Sequence, residues 1–151
     1  MKLKNILFVV ADIEKSKGFY RDIFGLQVIT AFDHNVMLTE GLVLQERNTW
    51  ESLLGKEVHI GGHDAELYFE ENNMDRFMEK LVTCEYEIKI INQMEHEWGQ
   101  RVIRLYDPDM HVIEVSEAMD YVIRRLIQSG MPIEDVVEKT GCTWEYIEEM
   151  M

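Results

Sequence analysis

A shift of 61 positions lays the first half of this chain on the second, with Ile6 on Leu67, Phe8 on Phe69 and Ile13 on Met74. An internal repeat constrains the fold more tightly than composition does, because both copies must share one order of elements. In the first copy, residues 5–10, NILFVV, form an apolar run of strand length, and Asp12 then offers an N-cap to a helix. The apolar face of that helix is Ile13, Phe19, Tyr20, Ile23 and Phe24, and Gly25 ends it. Residues 26–32, 35–38 and 41–46 read as three short strands with turns at Asp33-His34 and Glu40-Gly41. The second copy repeats this: a strand over 65–70, then a helix capped by Asn73 with Met74, Phe77, Met78, Leu81 and Val82 on one face. Strands over 86–91, 100–106 and 111–116 follow, the last two joined through Asp107-Pro108-Asp109. The spacing predicts βαβββ twice, with 47–64 as a linker carrying Gly55 and Gly61-Gly62.

After Glu117 the period becomes helical. Tyr121, Ile123, Leu126 and Ile127 mark one helix, Gly130 and Pro132 break it, IEDVVEKT makes a second, and Thr143 caps a third, WEYIEEMM. The arrangement is helix-turn-helix-like, but a DNA-reading helix needs Arg or Lys for phosphates and base edges. The last helix carries Glu145, Glu148 and Glu149 and no basic residue. A helical appendage that packs on the sheet or on a partner is the reading these residues support.

The formal charge of −14 repels polyanions, so neither nucleic acid nor an anionic membrane is expected as a partner. No apolar run is long enough to span a bilayer, and the first residues show no small-residue cleavage site, so the expected address is the cytoplasm. Cys84 and Cys142 lack metal-type spacing and suit a reducing compartment, with a single disulfide left open. With 46% hydrophobic residues, the chain has enough apolar material for a real core.

Two stretches carry a family resemblance. VVADIEKSKGFYRDIFGLQV at 9–28 and WGQRVIRLYDPDMHVIEVSE at 98–117, taken together, resemble the glyoxalase/bleomycin resistance/dioxygenase superfamily, also called the vicinal oxygen chelate superfamily. The resemblance covers roughly 4–117. It implies an α+β domain, 1–117, of two βαβββ modules (about 1–47 and 63–117) forming a curved mixed sheet around a cavity, with 118–151 as a C-terminal helical extension. It also implies a metal ion held by one residue from each of four strands, and a homodimer. Met110 departs from the pattern, since that turn is usually Asp-Pro-Asp-Gly.

Strand alternation then sorts the side chains, because neighbours point to opposite faces of a sheet. If Ile113 and Val115 pack against a helix, Glu114 faces the cavity. The same rule puts Glu66, Tyr68 and Glu70 on the concave side, with Val43 and Gln45 there from 41–46 and Asn5 from 5–10. Asn5, Gln45, Glu66 and Glu114 are thereby the expected metal ligands, at the positions the superfamily uses. The repeat pairs Asn5 with Glu66, and a one-residue slip would put Glu46 in place of Gln45.

An iron site of the oxygenase kind needs two imidazoles, and none of the five histidines falls at these positions. Lactoylglutathione lyases usually place histidine where Asn5 and Glu66 stand, or at one of the two. Two carboxylates and two amides suit Mg²⁺ or Mn²⁺ better than zinc. The leading expectation is a divalent-metal-dependent lyase or isomerase acting on a small oxygen-rich substrate, with Glu114 or Glu66 moving the proton. Its alternative is a metal-free pocket of the bleomycin-resistance type, in which the carboxyls hydrogen-bond to the amides and share a proton. A third reading gives the helical tail a role in assembly or regulation. Tyr68, Trp98 and Arg104 are candidate contacts for a small-molecule ligand; Arg104 would greet an anion or pair with acids nearby. His63 has the reach for the cavity mouth, although a lone loop histidine is more often solvated, and His34, His59, His96 and His111 read as turn or surface residues.

Overall fold

The computed structural model describes residues 1–150. The chain divides into two compact units, Met1–Ala65 with Cys84–Ile88 and Tyr106–Val112, and Glu66–Thr83 with Lys89–Leu105 and Ile113–Met151.

The first unit is built on β1 (Ile6–Val10), α1 (Ile13–Phe24), β2 (Val28–Phe32), β3 (Asn35–Leu38) and β4 (Leu42–Glu46). Its sheet runs in the order β1-β4-β3-β2, with β1 parallel to β4 and β3 antiparallel to both its neighbours. Asp12 caps α1 by accepting a hydrogen bond from the Lys15 amide, and Gly25, at φ 73°, closes it in a conformation that side chains with a Cβ disfavour. Phe19, Tyr20 and Ile23 on the inner face of α1 are buried, as are Val10, Leu38 and Leu44 of the strands. At roughly 1.5–3 kcal/mol for each large side chain taken out of water, this cluster drives the packing of helix on sheet.

The second unit repeats that order with β5 (Glu66–Glu71), α3 (Met74–Thr83), β6 (Lys89–Glu95), β7 (Arg101–Tyr106) and β8 (Val112–Glu117). Its sheet order, β5-β8-β7-β6, has the same form as the first, so the duplication read in the sequence is a duplication of topology. Met74, Phe77 and Leu81 bury the inner face of α3. Val82, expected on that face, is 83% exposed, because it lies one residue around the helix beyond the stripe that Leu81 already fills. Three further helices, α4 (Met119–Gln128), α5 (Ile133–Thr140) and α6 (Trp144–Glu149), share a core of Val122, Ile123, Leu126, Val136 and Ile147. Among the described residues no helix is long and apolar enough to cross a membrane. Neither cysteine is in a disulfide.

Two stretches differ from the sequence expectation. The expected linker holds a helix, α2 (Arg47–Leu54). The last residue of β4 starts it: the Glu46 carboxylate accepts from the Thr49 amide at 2.8 Å and from its hydroxyl at 2.6 Å, and Gly55 at φ 64° closes the helix. The strand expected over 86–91 begins at Lys89 instead. Tyr86 is drawn to α1, where its ring meets Phe19 edge-on at 5.5 Å and its hydroxyl donates to Asp22 at 2.8 Å. Gly18 leaves room for this contact, since a Cβ there would stand 2.9 Å from the Tyr86 oxygen. Burial and the Asp22 carboxylate together push the Tyr86 phenol up to about 12.

Candidate functional site

On the second sheet, β8 lies between β5 and β7, which sets Glu66, Glu114 and Arg104 on three adjacent strands. Ile113 and Val115 are buried with essentially no exposure, so alternation turns Glu114 to the other face, where it is still only 7% exposed. A carboxylate so placed needs compensation, because an ionised group without partners costs several kcal/mol to bury. Arg104 supplies it. One guanidinium nitrogen lies against Glu114 Oε2, and Nε is 3.5 Å from Glu66 Oε2. The other Glu114 oxygen accepts from the Ser116 hydroxyl at 2.9 Å. Oε2 is sealed from water and makes its ion contact with Arg104 without a well-angled hydrogen bond, so it retains capacity for another donor.

Along β5 the alternation holds. Leu67 and Phe69 are half-buried, while Glu66, Tyr68 and Glu70 are exposed on the face opposite to them. The Tyr68 hydroxyl makes a long bond of 3.4 Å to Glu70, which leaves its ring available on the Glu66 side.

Asn5 and Gln45 belong to the other unit. Gln45 is buried, and both ends of its amide are engaged: the oxygen accepts from Asn35 Nδ2 at 2.9 Å and the nitrogen donates to the His34 carbonyl at 2.7 Å. Asn5 is half-buried just before β1. The register sets Leu7 opposite Val43 and Val9 opposite Gln45. Gln45 is therefore level with a point four residues beyond Asn5, roughly 13 Å along the strand, and the paired side chains between them on that face are Leu7 and Val43. Glu46, the alternative to Gln45, is committed to capping α2.

The β6–β7 hairpin carries Trp98, whose indole N–H donates to Gln100 Oε1 at 3.0 Å and whose ring stacks on His96 at 4.0 Å. Helical residues anchor that hairpin: Arg125 donates to the Gly99 carbonyl at 2.6 Å and Lys139 to the Glu97 carbonyl at 2.8 Å. Beneath it lies Glu117, wholly buried, with one oxygen bound by Arg101 at 2.8 Å and the other by Arg125 at 3.1 Å. Burial pushes the Glu117 carboxyl up, but the two guanidinium groups outweigh it and hold the carboxyl below its ordinary range.

One constellation escaped the sequence reading. Asp107 and Asp109, read as turn residues, are buried, and His111, read as a turn or surface residue, is half-buried. Asp107 accepts from the Tyr20 hydroxyl and His111 Nδ1, each at 2.8 Å, and from the amides of Asp109 and His111, each at 2.9 Å. Asp109 accepts from the Ala11 amide at 2.8 Å and the Ser16 hydroxyl at 3.2 Å. Burial, reinforced by Asp107, pushes the Tyr20 phenol well above its usual value. The signal available in the sequence was Ser16 and Tyr20, two polar groups one turn apart on the buried face of α1, which require partners. His63, read as a solvated loop residue with a cavity mouth as the alternative, pairs its Nε2 with the Tyr106 hydroxyl at 2.5 Å.

The family model of the Glyoxalase-like domain matches residues 3–120. An uncharacterized protein of Bacillus subtilis (strain 168), YraH, is 30% identical over 131 aligned residues, covering 76% of this chain and 97% of the relative. Among solved structures, a protein of unknown function from Agrobacterium tumefaciens str. C58 is 34% identical with a TM-score of 0.67, covering 78% of this chain and 94% of that one. A lactoylglutathione lyase from Agrobacterium tumefaciens superposes with a TM-score of 0.61 at 18% identity, over 78% of this chain and 94% of that one. At that identity the likeness is one of fold.

Proposed function

We propose, for a chain that belongs to the Glyoxalase-like domain family, that the open face of its second sheet binds a small polar molecule through Glu114, Arg104 and Glu66 without a metal ion. The observation that carries this reading is the Arg104 guanidinium lying against Glu114 and reaching Glu66. A divalent cation between those carboxylates would stand beside a fixed positive charge. Two unit charges 4 Å apart interact by about 4 kcal/mol near a protein surface, and a divalent ion doubles this. The rest of the donor set supports the same reading, since the Gln45 amide is spent within its own sheet and the apolar pair Leu7 and Val43 lies between it and Asn5 along that face. Among the described residues no group of three or more His, Cys, Asp and Glu side chains is placed to hold a metal ion. These residues do not fit the ion expected from the resemblance.

A ligand with a donor beside an acceptor suits the site. The donor meets the exposed Glu66 carboxylate, the acceptor meets the Arg104 fork that Glu114 holds from beneath, and the exposed Tyr68 ring offers an aromatic surface alongside. The test is elemental analysis of gently purified protein, followed by titration with Mn²⁺ watched calorimetrically. The expected result is no stoichiometric metal and no saturable binding. Saturable Mn²⁺ binding that disappears in Glu114→Gln would overturn the reading in favour of the metal-dependent lyase or isomerase.

A further inference from the structure

The first unit contains a pocket of about 290 Å³, lined by Phe8, the 58–65 loop and the segment Met110–Val112. That is roughly ten water volumes, room for a small organic molecule. Its walls are mostly apolar: Phe8, Val58, Ile60, Met110 and Val112. Three imidazoles, those of His59, His63 and His111, also line it, with Asp64 as the single carboxylate. The Asp64 carboxylate is folded back over its own loop, close enough that a Cβ on Gly62 would stand 3.0 Å from it.

His111 is the prepared member of this group. Its ring stacks on Phe8 with centroids 4.1 Å apart and planes 17° from parallel, which fixes the tilt of the imidazole. Its Nδ1 bonds to Asp107, 2.8 Å away. That carboxylate is also bound by the Tyr20 hydroxyl and by two backbone amides, so it is an acceptor on every side and Nδ1 carries the hydrogen. The tautomer is thereby set, and Nε2, at the other side of the ring, is left for a ligand. A buried acceptor with four donors, whose last donor is a histidine on a pocket wall, is more apparatus than a turn needs to hold its shape.

We propose that this pocket binds a small carboxylate with a short apolar tail, its carboxyl group meeting His111 Nε2 and its tail lying against Phe8, Met110 and Val112. A carboxyl and an imidazole share one proton whichever of them carries it, and a hydrogen bond with charged partners is about twice as strong as a neutral one. An amide of the same shape lacks that charge. The site is built from the first unit alone, so it stands or falls independently of the Glu66–Arg104–Glu114 face.

The test is two-dimensional ¹H–¹⁵N NMR of the full chain, titrated with sodium butyrate, with butyramide as the uncharged isostere and sodium chloride at matched ionic strength. The expected result is saturable shifts at Gly61, Gly62 and His111 with butyrate, binding at least tenfold weaker with butyramide, and loss of the butyrate response in His111→Phe. His111→Gln is the second variant, and it decides the matter should His111→Phe disturb resonances away from the pocket. Non-saturable shifts, equal binding of butyramide, or butyrate binding that survives loss of the imidazole would each overturn the proposal.

Discussion

Arg104 reaches from β7 to lay its guanidinium against the buried carboxylate of Glu114 on β8. The pair resolves a conflict written into the strand: Ile113 and Val115 must be buried, and Glu114 between them is taken out of water with them. Removing the cation alone leaves that charge without its partner. Arg104→Met is expected to lower stability by about 2–3 kcal/mol, less than the roughly 3–5 kcal/mol of a fully buried pair, because Arg104 is partly exposed. The double variant Arg104→Met/Glu114→Gln should recover most of the loss, and urea denaturation of all four proteins measures the coupling. Additive losses would mean that the two side chains do not support one another.

Glu117 makes the protein sensitive to acid. Its folded carboxyl is held low by Arg101 and Arg125 against the opposing effect of burial, whereas the unfolded chain has an ordinary value of about 4.3. The unfolded state therefore binds protons more readily, so the contribution is complete above that ordinary value and is lost as pH falls through the lower, folded one. The melting temperature should drop between neutral pH and pH 3, and part of that drop should vanish in Glu117→Gln, which starts from a lower stability at pH 7. A variant with an unaltered acid profile would show that other carboxylates govern it.

Alternation made the facing of the site legible, but not its contacts. Alternation puts Glu66, Tyr68 and Glu70 on one face of β5 and Leu67 and Phe69 on the other, and their exposure follows that division. The partner of Arg104, an anionic ligand or a nearby acid, is not legible in the sequence, because period 2 fixes a side and says nothing of which neighbour a long side chain reaches. Gln45 shows the complementary limit: its face follows from alternation, while its height along the sheet follows from the β1–β4 register, which no single strand encodes. Asp107, Asp109 and His111 were hidden for a different reason. Such residues usually face water in turns, and here α1 closes over the turn with Ser16 and Tyr20 as partners. The helix α2 went unread because its cap, Glu46, is also the last residue of a strand.

Met110 occupies a backbone position made for glycine. Its φ of 68° lies in the left-handed region, which costs about 1–2 kcal/mol for a residue with a Cβ. Met110→Gly relieves that strain but loosens the unfolded chain by about 0.4–1 kcal/mol, so a net gain of about 0.5–1 kcal/mol is expected. For a chain of this size the melting temperature should rise by about 2–4 °C per kcal/mol. A fall would mean that the Met110 side chain contributes more through its packing than its backbone costs.

Tyr20 gives the alkaline counterpart of Glu117. Its phenol is wholly buried and donates to Asp107, and burial followed by that carboxylate raises its titration well above the ordinary value near 10. The neutral phenol is favoured only in the folded chain, so the contribution is complete below about pH 10 and is lost as pH rises through the folded value. Of the six tyrosines, Tyr20 and Tyr86 should therefore be the last to ionise in a spectrophotometric titration of the native protein. Tyr20→Phe removes one late-titrating group and one of four donors to Asp107, at a cost of about 1–3 kcal/mol, because the remaining three still solvate the carboxylate. The same variant should leave ligand binding at the Glu66–Arg104–Glu114 face unchanged, since Tyr20 bonds to the β7–β8 turn and not to Glu66, Arg104 or Glu114. A native spectrum in which all six phenols titrate together near pH 10 would contradict the burial of Tyr20 and with it the Asp107 network.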